Sequence, residues 1–150
     1  AMLDVAVDGQ TLALRLQSPL DSLLGFERAP RNDTERAQVR AMAQALRAGN
    51  AFVPTAAAGC RLERATLASP VLDPDLLGES GAAAPRKADD DHAELEGTFL
   101  YRCATMKALQ GIDVMLFDQF KRLGRVDVRV AGPKGQSAAK LTARARQVRW

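Results

Sequence analysis

His92, the one histidine of the chain, stands directly behind Asp89-Asp90-Asp91 and just ahead of Glu94 and Glu96. Any imidazole chemistry must pass through this ring. His92, Glu94 and Glu96 alternate, so an extended strand sets all three on one face. With Asp89, Asp90 or Asp91 curling back, one imidazole and one or two carboxylates could meet a Zn²⁺ ion. Glu27 joins such a set only through tertiary folding. A mixed nitrogen and oxygen donor set does not by itself select zinc over other divalent ions. Spacing alone favours the plainer reading: an exposed polar strand face behind a solvated acidic loop.

Bond-making chemistry has less to stand on. The chain holds no His-Cys neighbours, no GxSxG, no HExxH and no P-loop. Gly132-Pro133-Lys134-Gly135-Gln136-Ser137 has the wrong glycine spacing for a phosphate cradle and reads as a β-turn. An enzyme is not expected. A hydrolase whose site assembles only in three dimensions stands as an alternative.

The elements that must position these residues belong to a folded chain. A content of 47% hydrophobic and 26% charged residues is that of a globular domain, and the length suits one domain, residues 1–150. No apolar run is long enough to span a membrane. No intact signal peptide is visible, and the start, Ala-Met-Leu-Asp-Val, reads as a cut edge just before a strand, as a processed or an engineered terminus would. The net charge of +3 is unevenly spread. Lys121 to Arg149 holds nine basic residues and the single acid Asp127. Within it, Arg125, Asp127 and Arg129 alternate with valines, as on a solvated strand face. With one tryptophan and one tyrosine there is no aromatic stacking platform, so nucleic acid is not an expected partner.

Cys60 and Cys103 are the only cysteines. They are too far apart in sequence for a CxxC redox pair and too few for a zinc site. A structural disulfide is the favoured reading, with two buried free thiols as the alternative. The bond would place the chain in an oxidising compartment. A simple full-length hairpin of the two cysteine-bearing strands is expected to hold the cysteines at opposite ends, so bridging would need an offset pairing or strands that are not direct neighbours.

Hydrophobic patterning outlines the remaining elements. Leu-Asp-Val-Ala-Val, then Asp8-Gly9, then Thr-Leu-Ala-Leu-Arg-Leu-Gln predicts a hairpin. Leu20, Leu23, Leu24 and Phe26 belong to a packed connection or short helix. Asn32 opens a helix with capping-box spacing to Glu35, although Asp33 or Thr34 could equally be the cap. Val39, Met42, Ala43 and Leu46 line its buried face. Asn32-Asp33-Thr34 also spells a glycosylation triplet, which the cap explains without a sugar. A strand from Cys60 stops at Pro70, a flexible loop covers 78–91, and His92 opens the returning strand. We expect a strand at 112–117, a short helix at 117–123, a strand at 125–131, and a last strand pair or extended tail after the turn at Gly132. The sum is an α+β fold: a mainly antiparallel sheet with one long and one short helix.

The ordered set LDVAVDGQTLALRLQSP, LLGFERAPRNDTERAQV, AAAGCRLERATLAS, HAELEGTFLYRC, DVMLFDQFKRLGRVDVRV and GPKGQSAAKL resembles the ZrgA-type periplasmic proteins linked to bacterial zinc uptake. The resemblance runs over almost the whole chain, and GFE-x-AP with the paired cysteines makes it specific. Members begin with an H-x-H-G segment, carry histidine in GFEHAP and hold a His/Asp-rich loop before the HAE-like strand. Here no H-x-H-G precedes Leu3, Arg28 stands at the GFEHAP histidine, and the loop keeps Asp89, Asp90 and Asp91 without histidine. Arg28 stays protonated and cannot ligate a metal. The resemblance implies a periplasmic zinc-binding accessory protein for uptake or homeostasis; the absent histidines mark either residues missing from this sequence or a divergent member with weakened metal binding. Asp89, Asp91, His92, Glu94 and Glu27 are the implied ligands, Cys60–Cys103 the implied disulfide, and a periplasmic zinc-transport component the implied partner. A metal-independent periplasmic interaction module is the main alternative.

Overall fold

A computed structural model of the chain describes residues 1–79 and 93–150. The opening hairpin forms as patterned. Strand β1 (Met2–Asp8) pairs antiparallel with β2 (Thr11–Pro19), and Asp8 lies opposite Thr11. Gly9 adopts φ +58° in the two-residue turn, a conformation that L side chains rarely take. Alternation sends Leu3 and Val5 of β1, and Leu12, Leu14 and Leu16 of β2, to the buried face.

Helix α1 (Leu20–Leu24) follows at once and buries Leu20 and Leu23. Helix α2 (Asp33–Arg47) starts at Asn32, whose side-chain oxygen accepts the Glu35 N–H at 2.8 Å. Asn32, rather than Asp33 or Thr34, is therefore the cap. The face made by Val39, Met42, Ala43 and Leu46 is buried as its spacing requires.

The rest of the chain builds two sheets. Strands β3 (Phe52–Pro54), β4 (Cys60–Ala68), β5 (Glu94–Cys103) and β6 (Gly111–Val114) are followed by helix α3 (Leu116–Gln119). Strands β7 (Val126–Gly132), β8 (Gly135–Leu141) and β9 (Gln147–Arg149) complete the order. A six-stranded sheet runs β4-β5-β2-β1-β7-β8, and a three-stranded antiparallel sheet runs β3-β6-β9. Both contribute to one hydrophobic cluster, in which the Phe52 and Phe99 rings lie 5.1 Å apart. Gly111 has no room for a side chain, because a Cβ there would collide with the carbonyl oxygen of Val148 on β9.

Several expectations need correction. The sheets are mainly antiparallel as expected, but one pairing of the large sheet is not: β1 and β7 are parallel, with Met2 opposite Asp127. Alternating burial has the same period for either strand direction, so patterning could not distinguish them. Three α-helices occur among the described residues, where one long and one short helix were expected. The 112–123 region is cut differently, with β6 ending at Val114 and α3 at Gln119. The small sheet was not foreseen. Two of its strands have three residues each, too few to show a period.

The geometric objection to the disulfide also falls. Antiparallel pairing sets the first residue of one strand against the last of the next, and Cys60 lies opposite Cys103. The two are disulfide-bonded. A register shift between Leu62 and Arg64 absorbs the extra residue of β4.

Candidate metal centre

The implied ligands fall in three places. Glu94 is the exposed first residue of β5 and faces Pro19 across the sheet. Glu27 is exposed on the connection between α1 and α2. Asp89, Asp90, Asp91 and His92 lie outside the described residues. Among the described residues no three His, Cys, Asp or Glu side chains form a metal-holding group. Two exposed carboxylates alone are a poor zinc site, since zinc favours sets that include nitrogen or sulfur donors.

The backbone nevertheless brings the relevant segments to one end of the large sheet. The Leu20 N–H, at the start of α1, donates to the Ala93 carbonyl at 2.9 Å. Ala93 directly follows His92 in sequence, and α1 leads through Gly25 to Glu27. Glu96 shares a cross-strand row with Gln17 and Met2, so the beginning of β1 lies at this end too. Glu94 and Glu96 share the solvent side of β5, but Glu96 is engaged: Arg15 Nε donates to its carboxylate at 3.0 Å.

At the position where the resemblance expects histidine, Arg28 performs a different task. Its guanidinium donates to both oxygens of Glu35, at 2.6 and 2.7 Å, and lies 5.1 Å from the centre of the Phe26 ring. Glu35 also accepts the Arg31 N–H at 2.7 Å. These bonds, chiefly the one from Arg28, hold the Glu35 carboxyl at about 2, well below the ordinary carboxylate range. Arg28 thus ties the connection bearing Glu27 to the first turn of α2. The capping box is only half formed, because Glu35 reaches Arg31 rather than the Asn32 amide.

A second clamp holds Leu77 and Glu79 at the end of the first described stretch. Arg47, the last residue of α2, donates to the Ala65 carbonyl at 2.8 Å and to the Leu77 carbonyl at 2.9 Å. Its Nη2 lies 2.9 Å from Glu79, whose carboxylate accepts the Leu67 N–H at 2.5 Å. Of the loop expected at 78–91, only Gly78 and Glu79 are described, with Glu79 held by Arg47, and 80–91 lie outside the described residues. Leu67 pairs with Gly97 on β5, close to Glu94, so both flanks of the segment meet the same end of the sheet.

This arrangement accompanies a match to the family model for ZrgA family zinc uptake protein, which spans residues 1–150. The chain belongs to the ZrgA family. No curated protein matches it. Membership in the ZrgA family gives the chain a role related to zinc uptake. Sequence reasoning missed both arginine clamps of this ZrgA-family chain. Arg28 and Glu35 are seven apart, outside the helical-neighbour spacings, and Arg47 meets Glu79 only through the fold.

Proposed function

We propose that the chain is a periplasmic zinc-capture protein that hands Zn²⁺ to a component of the uptake machinery. Zinc is its cargo, and no bond chemistry is involved. His92 supplies the nitrogen donor, and Asp89, Asp91, Glu94 and Glu27 supply carboxylate oxygens. The observation that carries this reading is the Leu20–Ala93 hydrogen bond at 2.9 Å, which ties the residue after His92 to the helix leading to Glu27. Family membership supports zinc as the cargo. The Cys60–Cys103 bond supports an oxidising compartment, in keeping with the periplasm.

Calorimetric titration of the chain with Zn²⁺, using its natural N-terminus, tests the proposal. Stoichiometric binding is expected, and His92→Ala should weaken it by about tenfold or more, the scale of losing one ligand. Affinity should also fall below about pH 6, as the imidazole takes up a proton and its lone pair is lost. Unchanged affinity in His92→Ala would remove His92 from the site, and no zinc binding at all would overturn the capture reading.

A further inference from the structure

The two sheets expose four edges, and three of them are protected against strand pairing. Strand β4 has a register break between Leu62 and Arg64 and exposes the charged residues Arg61, Glu63 and Arg64. Strands β3 and β9 are three residues long, and β3 ends in Pro54. Bulges, charges, proline and short length are the usual means of blunting an edge. Strand β8 has few of these protections. It runs for seven residues in unbroken register with β7, and Gly135, Gln136, Ser137 and Ala138 are exposed. From Gly135 to Ala139 it carries no charge and only small or flexible side chains. No other described strand pairs with its outer side.

The electrostatics around this edge select the occupant. Exposed Lys134, Lys140 and Arg144 lie in the turn before β8, within it and just beyond it. From Pro133 to Trp150 there is no acidic residue. None of these three cations forms an ion pair among the described residues. A second copy paired antiparallel through β8 would bring six such cations to one seam and repel itself. An extended acidic chain would satisfy both the free backbone groups and the cations.

We propose that the β8 edge is a docking site for an extended acidic segment of a second protein, which adds to the six-stranded sheet as a seventh strand. Main-chain hydrogen bonds hold it, and Lys134, Lys140 and Arg144 set its preference for acidic sequence. The site is separate from the zinc-capture reading and does not depend on it.

The test uses the full chain with two synthetic ten-residue peptides, one alternating Glu with Thr and the other Lys with Thr. Fluorescence anisotropy should show binding of the Glu peptide only, and amide hydrogen exchange should slow in β8 when it binds. The exposed double variant Lys134→Glu/Lys140→Glu, checked for native circular dichroism, should weaken binding by about tenfold or more. Should that variant misfold, Lys140→Gln alone should still weaken binding severalfold. Equal binding of both peptides, or binding without slowed exchange in β8, would overturn the proposal. So would a doubling of mass with slowed β8 exchange in the chain alone, which would make a second copy the occupant.

Discussion

Arg28 shows how a single side chain can be misread when its type is judged against a motif. As an arginine in a histidine position it looks like a lost ligand, yet it bonds Glu35 through both carboxylate oxygens. The Glu35 carboxyl is held at about 2, below its ordinary value of 4.5. A carboxyl depressed on folding contributes stability above its unfolded pKa and loses it as pH falls through the folded one. The stability difference between the native chain and Arg28→Ala should therefore be full above about pH 4.5 and shrink toward pH 2. Thermal melts across that range measure it, and a pH-independent difference would assign Arg28's effect to packing on Phe26. Asn32 was legible as a helix cap because capping acts over three residues. Arg28–Glu35 and Arg47–Glu79 were not, because their partners meet through turns and strands that local spacing does not encode.

Among the elements, strands β4 and β5 carry the firmest prediction. Their ends meet at Cys60–Cys103, and β5 is also the strand that presents Glu94. Breaking the bond with Cys60→Ser/Cys103→Ser should lower stability by about 3–4 kcal/mol, the loop-closure scale for this separation. Urea denaturation against the native chain tests this, and a change under about 1 kcal/mol would mean that the strand pairing closes the loop unaided. The hairpin, α2 and β5 were readable because each is long enough to repeat its hydrophobic period. The strands β3 and β9 are too short to do so. The antiparallel hairpin offered the right cysteine geometry from the outset, once the start of one strand is set against the end of the other.

At the scale of the whole molecule, the two sheets share a single buried cluster across which Phe52 meets Phe99. Phe52→Ala, although it lies on a three-residue strand, should therefore cost about 3–5 kcal/mol. Near- and far-ultraviolet circular dichroism should still report one coincident thermal transition. Separate transitions would show that the small sheet melts on its own. The amino-acid sequence alone determined the hairpin, the capped amphipathic helix, the alternation of β5 and the chemistry available at His92, since each follows from residue type and short-range period. Tertiary structure decided the parallel joining of β1 to β7, the small sheet, the arginine clamps and the bare β8 edge. These depend on which strands become neighbours, and a repeating pattern of buried and exposed side chains is the same whichever neighbour a strand acquires.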